Sequence, residues 1–239
     1  MIAVFKRDFK AYFTSAIGYI YLGAYILVLN LVFLLNNAMS GSQSLTGVFS
    51  FMIMVMIFVT PILTMRVFSE DFKQKTDQLL LTAPVKPSRI VFGKYLSALA
   101  VFGCLLVLTL LWPFVISIIG VNNVPEVVGN YIGIICIGSA YIAMGVFISS
   151  LTENQVIAAV GSLGLFVALY ILEMVALYFY QSATLPAIVI EALTFISIYG
   201  RYTDILRGVL AFDDIIFFLS LNAVFLFLTI RGLERRRWA

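Results

Sequence analysis

Between two long apolar runs the sequence carries Ser-Glu-Asp-Phe-Lys-Gln-Lys-Thr-Asp-Gln-Leu-Leu-Leu-Thr-Ala-Pro-Val over residues 69–85. The chemistry these residue types can do is recognition. Glu70 and Asp71 can accept charge-assisted hydrogen bonds, Lys73 and Lys75 can donate them, and Thr76 followed by Asp77 has the chemistry of a helix N-cap. Leu79, Leu80 and Leu81 then form an apolar knob, and Pro84 and Pro87 stop the helix. Polar chain between two membrane spans must meet water or protein, because lipid cannot satisfy its backbone. A short helix that carries leucines into water is therefore a docking element. A plainer reading is a solvated loop in which Glu70 and Asp71 pair with Lys73 and Lys75.

Catalytic chemistry has little to draw on. The chain has no histidine, so a His-based general base, a zinc hydrolase site and a His pH switch are excluded. Cys104 and Cys136 lie inside apolar runs and read as small packing residues rather than a disulfide or metal pair. No Gly-x-x-x-x-Gly-Lys-Ser/Thr is present, so the chain has no nucleotide site of its own. The sequence implies no catalytic residue, no metal and no cofactor in this chain. Glu173 is the one acidic residue well inside an apolar run. It could line a pathway, bind a cationic group or be protonated; alternatively it lies about two turns from the outer end and meets water there. Asn30 and Pro61 are also unusual within their runs, and Pro61 is expected to kink its helix with Thr60 satisfying the freed backbone. Gly129 and Gly133 form a Gly-x-x-x-Gly suited to close helix packing.

The elements that hold these residues follow from composition. Of 239 residues, 62% are hydrophobic and 11% charged, with a mean hydropathy of +1.07. A soluble domain could not hide so much apolar surface. Six segments, 17–38, 48–68, 95–119, 130–151, 156–180 and 214–230, each approach the ~20 residues that cross a hydrocarbon core. The fold class is thus all-α: a single polytopic membrane domain over 1–239 with six transmembrane helices. With the N-terminus inside, the inner segments hold 13 of the 15 Lys and Arg residues, and only Arg201 and Arg207 lie outside. The positive-inside rule then puts both termini in the cytoplasm. Cations at membrane edges account for the net charge of +3 without nucleic acid.

Two segments flank this core. Ile2, Phe5, Phe9, Tyr12 and Phe13 fall on one side of a helix and Lys6, Arg7 and Lys10 toward the other. That pattern predicts an interfacial helix over 1–15, aromatics in lipid and cations near anionic headgroups. Residues 181–213 are too apolar for an ordinary loop and too polar around Arg201, Asp204 and Arg207 for a clean span. A re-entrant or interface-lying helical pair on the outer side fits them.

On these residues the chain resembles the permease subunits of ABC-2 type transporters. Lys-Arg-Asp-Phe-Lys-Ala-Tyr-Phe-Thr-Ser at 6–15 resembles their opening elbow helix. Arg66, residues 69–85 and Gly93-Lys94 resemble their cytoplasmic coupling loop, which spans 69–94 here. One departure is Lys75, which stands where glycine is common and a positive φ would be easy. Residues 197–214 and the closing Arg-Gly-Leu-Glu-Arg-Arg-Arg-Trp at 231–238 are similar to the compact branch of gliding-motility and nitrous-oxide-reductase-maturation permeases. The resemblance implies an ATP-driven transporter, an exporter by expectation, in a bacterial cell membrane. ATP and Mg would sit on a separate ABC ATPase. Its contact residues here would be Glu70, Asp71, Lys75, Thr76, Leu79, Leu80 and Leu81. Glu173, Arg201, Tyr202, Asp204, Arg207 and Gly208 would belong to the pathway or its outer gate. Two halves make such a transporter, so a second permease copy or a paralogue is expected. The alternative from another class is a membrane protein that needs no ATPase, a secondary transporter or a scaffold. Such transporters often show paired halves with broken helices at the midplane, and this chain has no evident inverted repeat.

Overall fold

The computed structural model describes residues 1–41, 44–76, 85–119, 124–182, 198, 200, 201, 206 and 211–238. The helices in that set are α1 (Ile2–Thr14), α2 (Ala16–Phe33), α3 (Thr46–Thr64), α4 (Ser69–Lys73), α5 (Pro87–Thr109), α6 (Leu111–Ile119), α7 (Val124–Ser149), α8 (Gln155–Ser182) and α9 (Phe212–Trp238). A π-helical turn, Leu34–Ala38, extends α2. Six stretches are long and apolar enough to cross a membrane: Ala16–Ala38, Thr46–Lys73, Pro87–Ile118, Val124–Ser149, Gln155–Ala176 and Phe212–Arg236. The protein is all-α and polytopic, as its composition required.

The third span begins at Pro87, about two turns before the apolar run that announced it. Pro87 occupies the first helical turn behind an extended Lys86, where a missing N–H costs nothing and the fixed φ already suits the helix. The proline that stops one element thus starts the next. This shift carries Gly93 and Lys94 inside α5, where both are buried.

α3 and α7 form the centre of the bundle, with 67% of each spanning window buried, against 28%, 17% and 22% for α2, α8 and α9. Apolar side chains alone do not draw helices together in lipid, so close contact needs small residues. A Cβ on Gly145 would stand 2.3 Å from Thr64 Oγ1, and one on Gly138 would stand 2.4 Å from the Phe102 ring. These two glycines, two turns apart on α7, set its approach to α3 and α5. Pro61 lies inside α3. The hydroxyl that bonds backbone beside it belongs to Thr64, which donates to the Thr60 carbonyl at 3.2 Å. The Thr60 hydroxyl, expected to play that part, is buried without a partner. The carbonyl that Pro61 leaves without an amide donor is that of Ile57, so the Thr64 bond adds to the Thr60 carbonyl beside the proline and does not replace the missing one.

Polar side chains stitch the bundle at mid-depth. Tyr95 Oη donates to Asn222 Oδ1 at 2.9 Å, and Asn222 Nδ2 donates to Ser139 Oγ at 2.8 Å, which joins α5, α9 and α7. Trp112 Nε1 donates to Asn30 Oδ1 at 2.9 Å, which gives the unusual Asn30 its role. One end of the bundle gathers α1, α4, the α7–α8 turn and the end of α9. The other end gathers the π-helical turn, the start of α3 and the start of α7, where Thr46 Oγ1 donates to Glu126 Oε1 at 2.9 Å.

Candidate functional site

α4 exists as a separate helix because one hydroxyl catches the chain as α3 ends. Ser149 Oγ, at the end of α7, donates to the Met65 carbonyl at 3.1 Å. It accepts from the Phe68 and Ser69 amides at 3.1 and 3.2 Å. A serine hydroxyl offers one donor and two acceptor sites, and all are used. The chain turns there, and Glu70 and Asp71 enter the first turn of α4, where the helix dipole favours acids.

Asp71 points inward. Its Oδ2 lies 2.6 Å from Lys94 Nζ and 3.2 Å from Arg7 Nη2, and its Oδ1 accepts from Thr76 Oγ1 at 2.9 Å. Lys94 is the hub, with a side chain only 4% exposed. It also stands 3.3 Å from Asp8 Oδ2, donates to the Val67 carbonyl and sits 5.0 Å above the Phe68 ring. Arg7 Nε bonds Asp8 Oδ1 at 2.7 Å, which closes the ring of charge. Beside it Arg66 pairs with Glu70 and donates to Ser15 Oγ at 2.6 Å, where α1 meets α2. Gly93 makes room for α1, since a Cβ there would lie 3.0 Å from the Met1 carbonyl and 3.1 Å from Val4 Cβ. From the far side the Arg236 guanidinium of α9 stacks 4.0 Å over Phe72.

Three cations (Arg7, Arg66 and Lys94) therefore balance three acids (Asp8, Glu70 and Asp71), and a buried charge is tolerable only with such partners. A polar cleft of about 250 Å³ opens among Arg7, Asp8, Tyr12, Arg66, Glu70 and Asp71. Tyr12 fixes its floor by donating to the Leu63 carbonyl at 2.8 Å. α4 is thus fastened to α1, α5, α7 and α9 by named polar or ring contacts.

The residues singled out from sequence fall as follows. Glu70 is half-buried against Arg66 and accepts from Gln74 at 3.2 Å. The partners of Glu70 and Asp71 are Arg66, Arg7 and Lys94, not the nearby Lys73 and Lys75. Arg7, expected near headgroups, turns instead to Asp8 and Asp71. Lys75 is exposed and takes φ +55°, so lysine adopts the left-handed turn for which glycine is better suited. Thr76 bonds back to Asp71. Leu79, Leu80, Leu81, Tyr202, Asp204, Arg207 and Gly208 lie outside the described residues, as does the Glu173 side chain. Arg201 donates to Asp214 Oδ1 at 2.9 Å and lies 4.4 Å over the Phe217 ring, which ties residue 201 to the start of α9. Sequence reasoning missed Asp8, Ser149, Asp214 and Asn222. Ser149 and Asp214 stand near the ends of apolar runs, Asn222 lies inside one and Asp8 sits in the basic N-terminal stretch, and none of these positions names a partner.

The bundle defines a multi-pass membrane protein whose charged end is organised around one short helix. The family of ABC-2 family transporter proteins matches residues 28–236. The chain belongs to this family and is a permease component of an ABC transporter, the membrane part and not the catalyst. No curated protein matches the sequence.

Proposed function

We propose that this permease couples ATP hydrolysis on a separate ABC ATPase to export, with α4 and the loop to residue 85 as the docking element. The observation that carries the proposal is the fastening of α4: a force applied beside Asp71 reaches Lys94 on α5, Arg7 on α1 and Ser149 on α7 through single contacts. Orientation rests on the cations, 13 of 15 on one side, which assigns the α4 end and both termini to the cytoplasm. ATP and Mg belong to the partner. A second permease copy, or a paralogue, completes the transporter, and the segment around Arg201, Tyr202, Asp204, Arg207 and Gly208 serves as the outer gate, with Glu173 beside the pathway. Aliphatic and aromatic walls with few acids favour an amphipathic or lipid-like substrate over a bare ion.

Leu79→Asp and Leu80→Asp test the docking element, since desolvated leucines at an interface centre would give way to unpaired charges. The permease should still insert and purify, because the changes lie between spans, while the ATPase is lost from the purified complex. Retention of the ATPase with transport still tied to hydrolysis would refute the assignment.

A further inference from the structure

An apolar groove of about 440 Å³ runs between α1 and α5, lined by Met1, Ile2, Phe5, Leu96, Leu99 and Ala100, with no polar surface in its lining. It lies outside the ion network that fastens α4, although the same two helices build both. Gly93 brings the start of α1 against α5, and the groove lies beside that crossing, open along the exposed Met1 and Ile2. Two cations outside its lining stand on the same two helices. Arg89 shares a face of α5 with Leu96 and Ala100, seven and eleven residues later, which puts it about 10 Å from Leu96 along the axis. Lys6 follows Ile2 by one turn on α1, at the margin between its aromatic and its basic side. Both side chains are exposed. Neither is among the ion-paired or hydrogen-bonded side chains of the described residues, whereas Arg7, Arg66 and Lys94 nearby are all paired.

We propose that this groove is a binding site for one anionic glycerophospholipid of the cytoplasmic leaflet. Its phosphate would lie between Arg89 and Lys6, and one acyl chain would lie along Phe5, Leu96, Leu99 and Ala100. Charge complementarity selects this occupant: a buried protein segment would leave both cations unanswered, and a neutral lipid would use the groove alone. The depth order fits as well, since along α5 the cation precedes the apolar lining by the distance that separates a headgroup from its chains. Because α1 bears on α4 through Arg7 and Asp71, an occupant here would brace the helix that the docking element depends on. The leaflet assignment rests on the orientation proposed above; the groove and its cations do not.

The test uses the full-length permease in phosphatidylcholine nanodiscs doped with a phosphatidylglycerol that carries a photoactivatable group in one acyl chain. A matched photoactivatable phosphatidylcholine is the control. Labelled peptides are mapped by mass spectrometry without ATPase or ATP, so failure of the docking proposal leaves the result readable. Phosphatidylglycerol should label the peptide containing residues 96–100 in preference to phosphatidylcholine. Arg89→Gln should reduce that labelling about fivefold, and Lys6→Gln by a similar factor, as expected for one cation at an anionic surface. Leu99→Trp, which fills the groove but keeps both cations, should abolish it while labelling of α2 around Leu27 and Leu31 is unchanged. Equal labelling by the two lipids would overturn the proposal. So would labelling of 96–100 no stronger than that of the exposed α2 face, or insensitivity to both cation substitutions.

Discussion

Replacing Asp71 by asparagine keeps the shape of α4 and removes the charge that its hub requires. Lys94 Nζ would lose its 2.6 Å partner and keep only Asp8 at 3.3 Å and the Val67 carbonyl. Removing one member of a buried pair costs about 3–5 kcal/mol because the other charge is stranded. Asp71 is 16% exposed and Asp8 remains, so water and the second acid recover part of that, leaving about 2–3 kcal/mol. For a chain of this length the loss corresponds to a fall of roughly 5–10 °C in melting temperature. Lys94→Met alone should cost less, since Asp71 retains Arg7 and Thr76. In the double variant no lysine is stranded, so its loss should fall short of the sum of the single losses by at least ~1 kcal/mol. The assay is thermal unfolding of the four purified permeases in one detergent, read as a double-mutant cycle. Losses that add within ~0.5 kcal/mol would show that Asp71 and Lys94 are not coupled, and the account of how α4 is held would fail.

Four further outcomes follow from individual contacts. Lys75→Gly should stabilise the protein by about 0.5–1 kcal/mol, because glycine takes φ +55° without the left-handed penalty and gives back part of the gain as unfolded-state entropy; a melting temperature unchanged or lowered would contradict this. Gly145→Ala should lower stability by about 1–3 kcal/mol, since its Cβ would meet Thr64 at 2.3 Å. Gly103→Ala, where nothing lies within 4 Å, should be neutral or mildly stabilising in the same unfolding assay. Asp214→Asn should make the segment before α9 more sensitive to protease added from the outer side, and exchanging Arg201 and Asp214 should restore protection in part.

How much could be read from sequence depended on whether a feature is local. The six spans are local: each is a run of apolar residues, and only their ends moved, most at Pro87, where the start of a helix was hidden in the polar stretch. The left-handed position at 75 was also marked locally, by lysine standing where glycine is common, whereas the short helix at 69–73 precedes the one expected after Thr76, whose residues 77–84 lie outside the described set. Pairing is not local. Asp71 has Lys73 and Lys75 beside it in sequence, yet its partners come from 64 residues earlier in Arg7 and from Lys94, because α1 lies along α5 and closes the gap. Lys94 gave no sign of burial until the third span was known to start at Pro87. Gly138 and Gly145 likewise carry no motif, since what makes them tight is Phe102 and Thr64 on other helices. The Gly129–Gly133 pair does have a motif, and both residues are buried in α7; the tight approaches of Gly138 and Gly145 lie further along the same helix.

The central claim is that the α4 end of this permease carries the ATPase. A photo-crosslinking amino acid at Gln74, exposed beside α4, tests it against one at Ser40, exposed at the other end of the bundle. Irradiation of cells that express the permease with its ATPase should join the ATPase to the Gln74 variant and not to the Ser40 variant. A crosslink from Ser40, or none from Gln74 while the two proteins still purify together, would contradict the account.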